Sequence, residues 1–258
     1  MIPKVIHYCW FGGNPIPDEY KKYMESWKKF CPGYKIIEWN ESNYDITKNK
    51  YMHEAYQAKK WAFVSDYARL DIIYNHGGVY LDTDVELLKN LDRFLEHKAF
   101  AGFASKKYVG TGLGFGAVKS HETIRNFRDY YDDVSFINKD GSYNLTACPE
   151  HQTKYLLTKG LKPNGKKQNA ADIIIYPVDY FSPICYKTLK LKLTDNTFSI
   201  HHYSSSWLDD EGHRIRDFTV KLSRFLPGNA AVAISYMRYK GVWFVVRKIC
   251  EKRRFKNQ

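Results

Sequence analysis

The sequence predicts an α/β fold whose first half is wound like a nucleotide-binding unit, followed by a basic helical tail. Three observations predict it. Runs rich in β-formers alternate with amphipathic runs of helical length. The third strand, "VYL" (Val79 to Leu81), ends in two aspartates, Asp82 and Asp84, at the place where open α/β sheets bind ligands. The 258 residues suit one large domain with an appendage.

The elements follow in order. "PKVIHYCW" (Pro3 to Trp10) reads as the first strand, closed by the turn signal "FGG". "IPDEYKKYMESWKKF" is a helix that stops before Cys31, Pro32 and Gly33. "YKIIEW" (Tyr34 to Trp39) is the second strand, and a polar loop runs through Lys50. From about Tyr51 to His76 the pattern is helical, and Gly77-Gly78 supplies the stop. Beyond the aspartates, "AFAGFA", "GLGFGAV", "DIIIYP" and "TFSIHHY" read as strands, with helices at "HETIRNFRDYY" and "PEHQTKYLLTK". The first convincing linker is Leu226-Pro227-Gly228. The domain reading is therefore a catalytic domain over residues 1–225 and a basic amphipathic extension over 226–258.

Net charge is +12, yet from Arg224 to Gln258 nine Lys/Arg face one Glu, so two thirds of the excess sits in the tail. A tail that mixes Val, Trp, Phe and Ile with Lys and Arg has the composition of an interfacial helix or of a solvated basic one. The five cysteines are odd in number, scattered and free of any CxxC, which argues against a disulfide framework or structural zinc and for a reducing cytoplasm. "MIPKVIHYCWFGG" has too short an apolar run for a signal peptide, and no apolar run is long enough to span a membrane.

Asp82 and Asp84 have strand spacing, so both carboxylates point to one side and repel unless a cation lies near. A hard divalent ion with oxygen ligands is the natural partner. On the preceding helix, Ala62, Asp66, Arg69 and Ile73 share one stripe. Asp66 and Arg69 can touch, as a buried structural pair or as a pair aimed at the same cleft. Trp10, between a strand and glycines, is a core residue or a stacking platform for a base. In "SIHHYSSSW" (Ser199 to Trp207), His201 and His202 face opposite ways on a strand, so at most one enters a given site. "GTGLGFG" lacks the order of a phosphate loop and reads as a glycine-rich strand bordering a cleft.

Taken together, "IPKVIHYCWFGG", "AFVSDYARLDIIYNHGGVYLDTDVE" and "SIHHYSSSW" resemble the family-32 glycosyltransferases with the DxD sugar-binding region. That family includes bacterial capsule and surface-polysaccharide transferases and the yeast initiating mannosyltransferase. The glucosyltransferase domain of the large clostridial toxins is similar at a greater distance. The resemblance covers roughly residues 2 to 207. It implies a GT-A type mixed sheet and retaining transfer of a sugar from a nucleotide diphosphate to an acceptor hydroxyl. It also implies Mn²⁺ or Mg²⁺ as cofactor. By resemblance, Trp10 stacks on the donor base, Asp66 and Arg69 contact ribose and sugar, and Asp82 and Asp84 form the DxD. His202 stands where the toxin-like pattern has a metal-binding Glu, and Ser205 and Trp207 close over the diphosphate. The catalytic set is Asp84, Arg69 and Trp207, and the metal set Asp82, Asp84 and His202. Glu150, Asn144 and Gln152 are candidates for an acceptor-side wall.

The expected partners are a UDP- or GDP-linked sugar and a glycan acceptor carried on a lipid, with no nucleic acid. The expected place is the cytoplasm, with peripheral contact on the inner face of the cell membrane. The same residues admit two other readings. "VYLDTDV" also satisfies the DxDx[TV] signature of haloacid-dehalogenase phosphohydrolases, but that motif belongs on a first strand, and here two strands and two helices precede it. A polysaccharide-binding module without catalysis would leave Asp66, Arg69 and the DxD unexplained.

Overall fold

The computed structural model describes residues 1–205 and 208–247. The chain opens with β1 (Val5–Cys9), α1 (Asp18–Phe30), β2 (Lys35–Trp39), α2 (Lys50–Gln57), α3 (Trp61–His76), β3 (Gly78–Tyr80) and β4 (Val85–Leu87). It continues through β5 (Ala99–Phe103), β6 (Val109–Gly110), β7 (Phe115–Ala117), α4 (Glu122–Asp129) and α5 (Cys148–Thr158). Then come β8 (Gln168–Ala170), β9 (Ile173–Tyr176), α6 (Val178–Phe181), β10 (Ser199–His201), α7 (Asp210–Leu222) and α8 (Gly228–Lys240).

The mixed sheet expected of the GT-A type is present, in the order β2-β1-β3-β7-β5-β9-β8 with β6 on β5. β1 runs parallel to both β2 and β3, while β7 lies antiparallel between β3 and β5. Because β2 and β3 flank β1 on opposite sides, the sheet changes its direction of growth there, and open α/β sheets take their ligands beyond the strand ends at such a point. Trp10 follows β1 and Asp82 follows β3, so the topology places both beyond the strand ends at that point.

Every residue of α3 from Phe63 to Ile73 is buried. A helix buried all round needs no polar face, and its polar members, Ser65, Asp66, Arg69 and Asp71, must then find partners inside. Asp71 finds Tyr44, Asn75, Lys48 and Arg128. The single helix expected from 51 to 76 is two helices. Lys59 adopts a left-handed φ of 55°, and the N–H groups of Lys59 and Lys60 donate to the carbonyls of Tyr56 and Ala55. This is a helix stop made without glycine, which residue type does not signal.

Gly77 and Gly78 have φ of 67° and 107°, and a Cβ on Gly78 would lie 2.9 Å from His7 Nε2. His7 holds this turn. Trp39 Nε1, a donor only, donates to His7 Nδ1 at 3.0 Å, so Nε2 carries the proton and donates to the Gly77 carbonyl at 3.0 Å. Burial lowers the His7 pKa to about 4. Above pH ~6.5, the ring is neutral both folded and unfolded, and nothing is lost. As pH falls from there toward 4, the unfolded chain binds the proton first, so stability drops by about 1.4 kcal/mol per unit. Urea denaturation of the native chain and of His7→Gln between those limits should show the smaller pH slope in the variant. Equal slopes would dismiss His7 as the group responsible.

The chain divides into two compact units, one of residues 1–183 with 192–204, the other of 184–191 with 205 onward. The basic helical tail expected from the sequence is present in the second unit. Helix α7, upstream of the linker expected at Leu226-Pro227-Gly228, packs with α8 there. The Arg238 guanidinium lies 4.5 Å over the Phe218 ring, and Lys240 pairs with Glu211. Residues 242–247 are helical, and 248–258 of the expected extension lie outside the described residues. Among the described residues, Cys9, Cys31, Cys148 and Cys185 are free thiols, and no helix is long and apolar enough to cross a membrane.

Candidate active site

β3 ends at Tyr80, and the chain turns at Asp82, whose carbonyl accepts from the Val85 N–H at 3.0 Å. It then re-enters as β4, which pairs antiparallel with β10 in a separate two-stranded sheet. The register sets His201 opposite Val85, next to Asp84. His201 Nε2 lies 3.2 Å from Asp84 Oδ1 and 3.8 Å from Asp82 Oδ2. Asp84 Oδ2 accepts from the Ser204 N–H at 2.8 Å, and the Asp84 carbonyl accepts from the His202 N–H.

The histidine that meets the aspartates is therefore His201 and not His202. His202 turns the other way, bonds Glu86 Oε2 at 2.9 Å and stacks on the Tyr23 ring at 3.9 Å. Alternation along a strand put the two rings on opposite sides, as expected, and the β4–β10 register chose which side each took.

Arg69 joins the two carboxylate pairs. Its Nη2 lies 3.1 Å from Asp66 Oδ1 and 3.4 Å from Asp82 Oδ1, and its Nε donates to the Ser65 carbonyl at 2.9 Å. The guanidinium sits 5.0 Å over the Tyr80 ring. Asp66 and Arg69 are 7% and 4% exposed, so the pair is a buried ion pair and part of the aspartate cluster at once. Gly112 closes this cluster from β7's side. A Cβ there would fall 2.2 Å from Asp82 Oδ2 and 2.9 Å from Arg69 Nη1, so only glycine lets the backbone back onto the pair.

The electrostatics separate the carboxylates. Burial pushes the Asp66 carboxyl up to about 6, against the pull of Arg69. Burial also raises Asp82, opposed by Arg69 and reinforced by the charge of Asp84. Burial acts on Asp84 too, but His201 and the Ser204 N–H outweigh it and hold the carboxyl well below the usual range. His201 is raised, because the charge and hydrogen bond of Asp84 exceed the effect of burial. The ligand atoms of Asp82, Asp84 and His201 all lie within 4.8 Å of one another, and His201 Nδ1 is buried without a partner. Two carboxylates and an imidazole fit a divalent cation that takes both oxygen and nitrogen.

The remaining expected residues fall as follows. Trp10 is half-buried past the end of β1, its Nε1 donating to the Asn14 carbonyl at 2.6 Å and its ring edge-on to Tyr20. Ser205 is buried at the start of the second unit's main segment, with a φ of 55°. Trp207 lies outside the described residues. Gln152 is no part of an open wall. It is 2% exposed, and its Nε2 donates to Thr111 Oγ1 at 2.8 Å. Asn144 is taken up by its own turn, accepting from the Thr146 N–H, and Glu150 is exposed in the first turn of α5. Cys148 was not anticipated: its thiol bonds the Asp66 carboxylate from the first position of α5. A lone buried cysteine carries no pattern that could have announced this.

Residues 17–101 match the family model described as "Glycosyltransferase sugar-binding region containing DXD motif". Asp66, Arg69, Asp82 and Asp84 all lie within it. Among curated relatives, the chain is similar to an uncharacterized glycosyltransferase of Acanthamoeba polyphaga mimivirus, 34% identical over 57% of this chain and 60% of that one. It is also similar to inositol phosphoceramide mannosyltransferase 1 of Schizosaccharomyces pombe, 30% identical over 61% of this chain and 53% of that one. The chain thus spans about half the length of such relatives. Among solved structures, "PaToxG Glycosyltransferase" aligns with a TM-score of 0.45 at 19% identity, over 61% of this chain and 69% of that one.

Proposed function

We propose that this protein is a retaining, metal-dependent glycosyltransferase. It moves a hexose or N-acetylhexosamine from a nucleotide diphosphate sugar to a glycan acceptor in capsular or other surface-polysaccharide synthesis. The observation that carries this reading is the convergence of Asp82, Asp84 and His201 on one point, with Arg69 bridging Asp66 to Asp82 beside them. The mannosyltransferase relatives support a hexose donor. The acceptor is lipid-linked in this reading, and the work is done in the cytoplasm at the membrane's inner face.

Asp82, Asp84 and His201 would hold the metal, and the imidazole favours Mn²⁺ over Mg²⁺, which prefers oxygen ligands throughout. When bound, the metal supplies Lewis-acid stabilisation to a leaving diphosphate. Arg69, fixed by Ser65 and two aspartates, sets a permanent positive charge at the same place. Asp66 offers a carboxylate to ribose or sugar hydroxyls. Trp10, past the end of β1, offers an aromatic face for the base. No carboxylate is assigned as nucleophile, and attack by the acceptor on the leaving-group side is the preferred route.

The test is a panel of UDP- and GDP-sugars incubated with the full chain, with and without Mn²⁺. Nucleoside diphosphate and free sugar should appear with one donor, only with metal. Release of inorganic phosphate instead would support a phosphohydrolase. No turnover and no metal-dependent thermal shift with any donor would remove the transferase reading.

A further inference from the structure

The second unit carries a surface that the transfer reading leaves unused. Phe225 and Trp243 are 87% and 84% exposed, and Met237, Val242 and Val246 are exposed as well. Val242 and Val246, and Trp243 and Val246, stand at helical spacings of four and three on the helical residues 242–247. The Phe244 ring stacks on Tyr236 at 5.6 Å, which ties this segment to α8. Phe225 lies in the turn before α8 and Trp243 just beyond its end, so exposed aromatic and branched side chains bracket and follow this helix, and exposed apolar groups of this size mark a surface that meets something.

Charge says what. From 224 to 247 the chain has Arg224, Arg238, Lys240 and Arg247 and no acidic residue, and the sequence from 248 onward adds five more basic residues against one Glu. The unit's acidic residues from 205 on, up to that Glu, are Asp209, Asp210, Glu211 and Asp217, all at or within α7. Two copies of this surface set face to face would oppose like charges. Lys240 already pairs with Glu211; an anionic lipid surface offers counter-charge to the guanidinium groups of this stretch, and an apolar layer beneath for Trp and Phe. Among the described residues, no helix is long and apolar enough to cross a membrane. We propose that the α8 and 242–247 surface docks on an anionic bilayer, with Phe225 and Trp243 entering the interface and the neighbouring basic residues on the headgroups.

The test is flotation of the full chain with neutral phosphatidylcholine vesicles and with vesicles of about 30% phosphatidylglycerol. The native chain should float with the anionic vesicles and stay behind with the neutral ones. Phe225→Ser combined with Trp243→Ser should weaken flotation about tenfold or more. Both side chains are exposed, so unchanged thermal unfolding of the variant shows that folding is intact. Arg224→Gln with Arg247→Gln should shift flotation to lower salt. Flotation indifferent to lipid charge or to the double serine variant would overturn the proposal. So would a native dimer that the serine variant abolishes, since a second copy would then cover the face. No sugar donor enters the assay, so failure here leaves the transferase reading standing, and the reverse.

Discussion

Asp84→Ala is expected to abolish Mn²⁺ binding in titration calorimetry and to cut nucleoside diphosphate release by about a thousandfold, or ~4 kcal/mol. Asp84 is the best-held carboxylate of the cluster, 6% exposed and fixed by His201 and the Ser204 N–H. It stays ionised where Asp66 and Asp82 are pushed toward protonation. Its removal takes away the carboxylate held below the usual range and leaves His201 without its partner. His201→Ala should therefore follow Asp84→Ala in lost metal affinity. His202→Ala should keep metal affinity within a few-fold, because its ring is engaged by Glu86 and Tyr23. The reverse ranking of the two histidines would show that the β4–β10 register does not build the metal site.

Arg69→Ala should cost about 3–5 kcal/mol of stability, a larger effect than its loss of activity alone would require. The guanidinium is the counter-charge for two carboxylates, and its deletion leaves both facing each other across a space that Gly112 keeps narrow. Asp66 already has a folded pKa near 6, above the unfolded value, so its ionisation opposes folding as pH rises through that range. Without Arg69 the carboxyl rises further. The variant should then be closest to the native chain at acid pH and fall furthest behind at pH values above neutrality. Urea denaturation at pH ~5 and ~8 reads this difference. A deficit that is the same at both would mean that packing, not charge, is what Arg69 supplies. Arg69→Lys should recover only part of the loss, since an ammonium lacks the planar fork that reaches Ser65, Asp66 and Asp82 together.

Much of this cluster is legible in the sequence because its parts obey short-range rules. The period of two at Asp82 and Asp84, the spacing of three between Asp66 and Arg69, and the paired glycines between them are local facts. They needed only the knowledge that α3 and β3 are consecutive. The choice between His201 and His202 was not local. It depends on β4, three residues long and too short to show a pattern, and on how β10 aligns with it. Gln152 failed for a similar reason. An amide on a helix reads as a polar wall, but here it is the partner of Thr111, a pairing across 41 positions that no spacing reveals. The break at Lys59 escaped because a left-handed lysine looks like any other lysine. Trp207 and the last eleven residues lie outside the described residues, so their part of the reading rests on sequence alone.

The pairing of β4 with β10 has a consequence for how the protein matures. Asp84 and Ser204 are 120 positions apart, and the chain between them must complete most of the sheet before it can return. Closing a loop of that length costs about 4 kcal/mol in chain entropy beyond a constant. Contacts of such long range form late on a folding path. A nascent chain that has emerged only as far as the DXD stretch holds Asp82 and Asp84 without His201 to join them. On the proposed reading, a metal held by all three ligands would have to wait for β10, so its capture would report that the chain between β4 and β10 has been placed.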